Sequence, residues 1–211
     1  MEELKRLAEF LENGYADRVA QLTQELLDNN VGPQIILNEG LIPGMAVVGE
    51  KMRKGEMFLP EVLQSAAAMY ESLKILKPQL VEQGLKPIGK VLMGTVKGDM
   101  HDIGKNLVGI LLQGAGFEII DLGVNVPPQK FVEALGTHHP PILGISAMLT
   151  TTMLNMKTTI DAIANAGLRE GVKIIVGGAP VSQKFADDIG ADGYARDAVR
   201  AVDKVKELLA L

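Results

Sequence analysis

The sequence predicts an α/β protein: a small N-terminal helical bundle followed by a doubly wound, five-stranded parallel sheet. Three observations carry this. Apolar residues up to about residue 80 recur with the period of a helix. From Lys90 onward, short continuous apolar runs alternate with helix-like stretches. Continuous apolar strands separated by helices imply a parallel sheet buried on both faces.

In the first part, Leu4, Leu7, Ala8 and Leu11 fall at i, i+3, i+4 and i+7. Val19, Leu22 and Leu26 repeat this spacing after a break at "NGYAD". A third helix runs from Pro33, a good first-turn residue, to about Arg53. The loop "KGEMFLP" (54–60) interrupts it, and a fourth helix carries Val62, Ala66, Met69, Leu73 and Leu76. Four such helices suggest a small bundle. The stretch "VEQGLKPIG" (81–89) reads as a linker and, near Gly84–Gly89, as a hinge. The domains are therefore expected at 1–86 and 87–211.

In the second part the expected strands are Lys90–Val96, Phe117–Leu122, Ile142–Ser146 and Lys173–Val176, with a fifth near Tyr194. Helix-like stretches fill the gaps at 104–115, 128–135, 153–166, 182–189 and 197–210. In a doubly wound sheet, ligands sit beyond the carboxyl ends of the strands, near the switch point.

Composition narrows the function classes. The chain has 211 residues, 47% hydrophobic and 22% charged, with a net charge of −5. Lys and Arg are scattered, so no nucleic-acid or anionic-membrane partner is expected. There is no cysteine, which removes disulfides, cysteine-ligated zinc, iron–sulfur clusters and thiol catalysis together. The start, "MEELKRLAEF", reads as an acidic amphipathic helix and not as a signal peptide. No apolar run reaches the roughly 20 residues of a membrane span, and a cytoplasmic location is expected.

Three strand ends carry the unusual residues. "GDMHDIG" (98–104) follows the first strand, "SAMLTTT" (146–152) the third, and "GGAP" (177–180) the fourth. Taken singly, each has a structural reading: a capping or surface histidine, a helix N-cap, a tight turn. Together they form Asp99-x-His101-x-x-Gly104, then Ser146-x-Met148 after 41 residues, then Gly177-Gly178 after 28 more. This combination resembles the cobalamin-binding signature shared by methionine synthase and the corrinoid proteins of methyltransferase systems. "GMAVVGEKMRKGEMFLPEVLQSAAAM" (44–69) resembles the helical cap that precedes the corrinoid domain in those proteins. "SAMLTTTM" and "VGGAP" look most like the small carriers for methylamines, methanol or methoxylated aromatics. Met148 stands where leucine is usual, an exchange of similar volume.

The resemblance implies a flavodoxin/Rossmann-like α/β domain and a set of roles. His101 would bind the cobalt of cobalamin from the lower face, displacing the cofactor's own base (base-off, His-on). Asp99 would hold the second imidazole nitrogen, and Thr152 would hydrogen-bond Asp99. The loop from Gly98 through Met100, Asp102 and Ile103 to Gly104 would contact the cofactor. Gly104, Gly177 and Gly178 would line a slot for the displaced nucleotide tail, with Ser146, Met148 and Thr150 on its other wall. Methyl–cobalt(III) favours a lower ligand and cobalt(I) favours none, so His101 would bind and release, with protons moving through Asp99 and Thr152. Phe58 and Leu59 match the positions that shield the upper face; their structural reading is a hydrophobic staple at the start of the fourth helix.

A methyl carrier for one-carbon metabolism is the leading expectation. The chain holds no complete active site for activating a methyl donor. Its expected partners are a substrate-specific methyltransferase, an acceptor methyltransferase using tetrahydrofolate or a thiol, and a reductive activase. Two alternatives remain open: the small cobalamin-binding subunit of an adenosylcobalamin mutase, whose relatives usually lack this helical cap, and a cobalamin-dependent regulatory sensor, which normally carries a DNA-binding or signalling domain not expected here. A flavodoxin-like electron carrier without corrin leaves the three spaced motifs unexplained. The methyl donor is not identified.

Overall fold

The structure, a computed structural model, describes residues 2–82 and 87–211. The expected linker falls partly outside these residues: Gln83, Gly84, Leu85 and Lys86 are not described. The chain divides into two compact units, one of Met1–Ile88 with Gln113–Gly116, the other of Gly89–Leu112 with Phe117–Leu211.

The first unit is helical. Helices α1 (Glu2–Glu12) and α2 (Ala16–Asp28) bury the stripes Leu4, Leu7, Leu11 and Val19, Leu22, Leu26. These are the apolar positions that the helical period assigns to one face. The third helix is less regular than its sequence suggests. A short α3 (Pro33–Ile35) runs into a π-helical turn (Ile36–Leu41) and then into α4 (Ile42–Lys54). The Ile42 N–H reaches back five residues to the Leu37 carbonyl. Pro43 follows directly and has no N–H to give, so the widened turn falls where a regular ladder would break. Small residues let α1 come close here. A Cβ on Gly40 would stand 2.9 Å from the Leu7 side chain, and one on Gly44 would stand 3.1 Å from the Ala8 backbone. Gly55 ends α4 at φ +72, with Gly55 N–H on Met52 O and Glu56 N–H on Lys51 O, a Schellman pattern.

Helix α5 (Leu59–Glu82) starts behind Phe58. The Glu61 carboxylate accepts the Phe58 N–H at 2.8 Å, which satisfies a donor that the helix itself leaves free. Further along, Ser72 meets Thr23 of α2 through a buried hydroxyl pair at 2.7 Å.

The second unit is an open, fully parallel sheet ordered β2-β1-β3-β4-β5. Its strands are β1 (Lys90–Thr95), β2 (Glu118–Asp121), β3 (Ile142–Ser146), β4 (Lys173–Gly177) and β5 (Gly193–Ala195). The crossover helices are α6 (Ile103–Gly114), α7 (Pro128–His138), α8 (Leu154–Asn165) and α9 (Gln183–Asp188), and α10 (Ala198–Leu208) follows β5. Apolar burial on both faces holds for β1, β3 and β4. It does not extend to β2, whose end residues Glu118 and Asp121 are exposed. The reason is position: β2 is an edge strand, so one flank has no neighbour. Phe131 of α7 is fully buried over β1, and Gly94 makes room for it, since a Cβ there would stand 2.8 Å from the ring.

The strand order fixes where a ligand can sit. β1 has β2 on one side and β3 on the other. The chain leaves β1 for β2 and crosses back to β3, so the loops after β1 and β3 diverge at this switch point. Those loops carry Asp99–Gly104 and Ser146–Thr152.

Candidate functional site

The site is organised around one carboxylate. Gly98 takes φ +82 and turns the chain just after β1. The Asp99 side chain is thereby delivered into the interior, where it is fully buried. A buried carboxylate needs partners, and Asp99 has four donors. Oδ1 accepts the His101 backbone N–H at 3.1 Å and faces His101 Nδ1 at 2.8 Å. Oδ2 accepts the Met148 N–H at 2.7 Å and the Thr152 hydroxyl at 2.6 Å. Burial pushes the Asp99 carboxyl up, but the bonds from Thr152, Met148 and His101 outweigh it and hold the group well below the usual carboxylate range. Asp99 is therefore ionised and can only accept.

That settles the imidazole. An ionised carboxylate on Nδ1 selects the tautomer with its hydrogen there, leaving the Nε2 lone pair free. The His101 side chain is 54% exposed, and its carbonyl is held by the Thr95 hydroxyl at 2.9 Å. The result is an imidazole fixed at one nitrogen and open at the other.

The other sequence-predicted residues fall into two groups. Met100 (68% exposed), Ile103 (69%), Met148, Thr150 and Asp102 lie exposed on the same two loops as His101. Ser146 ends β3, paired with Thr95 and Gly177 on either side. Met148 contributes its main-chain N–H to Asp99, which any residue but proline supplies at this place. Gly104 differs from Gly177 and Gly178. A Cβ on Gly104 would meet nothing within 4 Å, so no protein contact requires glycine in this first helical turn. A Cβ on Gly178, at φ +126, would stand 1.8 Å from the Ala147 carbonyl oxygen, and one on Gly177 would stand 2.9 Å from that of Ala195. The packing of neighbouring backbone demands glycine at those two positions.

In the helical unit, Phe58 is the residue before the first turn of α5 and is 67% exposed. A staple would need its ring packed, and the ring is not. Leu59 is half-buried at the first position of that helix.

Sequence reasoning missed Asn125 and Asn155. Asn125 Oδ1 accepts the Gly98 N–H at 2.7 Å, and Asn155 Nδ2 donates to the Lys97 carbonyl at 2.8 Å. It also missed Lys105, buried one residue beyond Gly104 and ion-paired with Asp121 at the end of β2.

Among the described residues no group of three or more His, Asp or Glu side chains could hold a metal ion by itself. A single open imidazole suits a metal whose other ligands come from elsewhere, as in a macrocycle. The exposed apolar residues Met100, Ile103 and Met148 and the open face at Gly104 fit a large, partly apolar ligand beside that imidazole.

Comparison with known proteins supplies the family. A B12 binding domain model matches residues 89–203, and a second B12 binding domain model matches residues 3–77. A corrinoid protein of Desulfitobacterium hafniense is 41% identical over 209 residues, 98% of this chain and 97% of the relative. The chain belongs to the corrinoid proteins. Its cofactor is cobalamin. A dimethylamine corrinoid protein of Methanosarcina acetivorans is 45% identical to this corrinoid protein over 179 residues, covering 85% of this chain and 84% of the relative. The crystal structure of the methanol:cobalamin methyltransferase complex of Methanosarcina barkeri matches with a TM-score of 0.89 at 31% identity, over 99% of this chain and 80% of that one. A cobalamin-binding protein of Desulfitobacterium hafniense matches with a TM-score of 0.80 at 28% identity, over 97% of this chain and 98% of that one. The family expected from the three strand-end motifs, and the helical-plus-parallel-sheet fold expected from the hydrophobic periodicity, are those found. Among the described residues, no helix is long and apolar enough to cross a membrane.

Proposed function

We propose that this corrinoid protein is a methyl carrier. It holds cobalamin base-off, with His101 Nε2 on the lower face of the cobalt, and moves a methyl group between two methyltransferases. The carrying observation is the pair Asp99–His101: a buried, ionised carboxylate on Nδ1 and an exposed, free Nε2. Bound cobalamin supplies a cobalt centre that accepts and gives up a methyl group. This chain's residues do the rest. Asp99 and Thr152 orient the imidazole. Asp99, held well below the usual carboxylate range by its bonds from Thr152, Met148 and His101, stays an acceptor toward Nδ1. Thr152 donates its hydroxyl to Oδ2. Together they hold the ring in place as His101 binds and releases.

The remaining assignments follow the same reading. Gly98, Met100, Asp102, Ile103 and Gly104 line the cofactor from one loop; Ser146, Met148 and Thr150 line it from the next. Gly177 and Gly178 flank the slot for the displaced nucleotide tail. Phe58, mostly exposed at the start of α5, and Leu59 cover the upper face. The match of residues 3–77 to a B12 binding domain model favours a carrier over a mutase subunit.

The relatives' names support the partner class: dimethylamine and trimethylamine corrinoid proteins, and a methanol:cobalamin methyltransferase complex. The partners are a substrate-specific methyltransferase that loads the methyl group, an acceptor methyltransferase using tetrahydrofolate or a thiol, and a reductive activase. The setting is one-carbon metabolism in the cytoplasm.

Electron paramagnetic resonance of the cobalt(II) holo-protein tests this reading. Nitrogen hyperfine splitting that changes with nitrogen-15 histidine in the wild type, and no longer responds to the label in His101→Ala, is expected. Wild-type splitting indifferent to the label, or a label effect that persists in His101→Ala, would remove His101 from the metal.

A further inference from the structure

The histidine loop is held from a side that the motif does not include. Asn125, in the loop between β2 and α7, is one of few non-glycine residues with a left-handed backbone, at φ 52. Asparagine tolerates that conformation better than most residues. The geometry gives it two simultaneous bonds. Its main-chain N–H donates to the Asp99 carbonyl at 2.9 Å, and its side-chain Oδ1 accepts the Gly98 N–H at 2.7 Å. It thus grips the turn on both sides of the peptide joining Gly98 to Asp99. The grip is itself seated, since Thr95 N–H donates to Gly123 O and Val126 N–H donates to Thr95 O, tying this loop to the end of β1.

The consequence reaches the imidazole through one residue. Asp99 is fixed by Met148 and Thr152 at its carboxylate and by Asn125 at its backbone. His101 takes its direction from Asp99 at both its N–H and its Nδ1. A small rotation of the Gly98–Asp99 peptide therefore swings the open Nε2.

We infer that Asn125 is a positioning residue for the axial ligand: by clamping Gly98 and Asp99 it sets how well His101 meets the metal. This rests on the proposed ligation by His101. The Gly98 N–H lies at an exposed position, so losing Oδ1 hands that donor to water and does not orphan it. The effect is a modest bias and leaves the fold intact.

Asn125→Gly tests it, because glycine keeps the positive φ and the main-chain bond to Asp99 and removes only Oδ1. Asn125→Asp restores an acceptor. In the apo-protein, hydrogen exchange at the Gly98 amide should quicken roughly fivefold in Asn125→Gly, the size of one net hydrogen bond, and recover in Asn125→Asp. In the cobalt(II) holo-protein, the ratio of imidazole-free to imidazole-bound signal should rise by a similar factor in Asn125→Gly and return towards wild type in Asn125→Asp. The melting temperature should stay within a few degrees of wild type in both. An unchanged ratio in Asn125→Gly, with wild-type splitting intact, overturns the inference alone. Wild-type protein without any imidazole splitting overturns the ligation by His101 and the inference with it, while faster Gly98 exchange would still show the clamp.

Discussion

Thr152 Oγ1 lies 2.6 Å from Asp99 Oδ2, joining residues 53 apart in sequence and the loops that follow β1 and β3. The bond crosses the switch point of the sheet. It is charge-assisted, and such bonds contribute about 1.5–3 kcal/mol.

Thr152→Val should therefore destabilise the apo-protein by about 1.5–3 kcal/mol, because it removes the hydroxyl and leaves a buried carboxylate one donor short. It should also lower the imidazole-bound fraction in the cobalt(II) state. Denaturant melts and electron paramagnetic resonance on the same variant check both. A wild-type melt with unchanged resonance would show that the bond contributes nothing.

The depressed Asp99 carboxyl predicts a pH dependence. An unfolded aspartate titrates near 3.9, and the folded group titrates well below that. Its contribution is fully present above the unfolded value and is lost as pH falls beneath about 4. The stability gap between wild type and Asp99→Asn should thus be widest near neutrality and narrow on acidification. Denaturation midpoints from pH 7 to pH 3 measure it, and parallel curves would refute the assignment.

Two glycine substitutions should separate cleanly. Gly178→Ala places a Cβ against the Ala147 carbonyl at positive φ, so apo-protein should lose several kcal/mol or fail to fold. Gly104→Ala meets open space and gains helix propensity, so apo stability should rise by up to about 1 kcal/mol while cobalamin binds more weakly. Calorimetry and cofactor titration supply the two readouts; unweakened binding in Gly104→Ala would mean that the cofactor does not approach this turn.

Phe58→Ala should change apo stability by no more than about 0.5 kcal/mol, since the ring is mostly exposed. In protein loaded with methylcobalamin it should speed net photolysis, because less cover lets the methyl radical escape before it recombines. An unaltered photolysis rate with cofactor bound would assign the upper face to other residues.

What the sequence disclosed follows from which signals are local. β3 is expected at Ile142–Ser146 and lies there, because a continuous apolar run between turn residues marks a strand buried on both faces. Asp99, His101 and Thr152 were legible through spacing and resemblance, and the structure brings them to one carboxylate. The π-helical turn was not legible: it depends on Pro43 and on α1 lying against Gly40 and Gly44, which no window of one helix contains. The exposed flank of β2 depends on strand order, which apolar runs do not encode. Asn125 lay hidden because its partner, Gly98, is 27 residues away, and an asparagine in a loop looks the same whether or not it grips something.

Met148 has one more consequence. Its link to Asp99 is made by the peptide group, so the side chain is released from any duty to the carboxylate. A substitution here by anything but proline changes the exposed surface and keeps the bond to Asp99. What must persist and what is free to vary are thereby written into different atoms of the same residue.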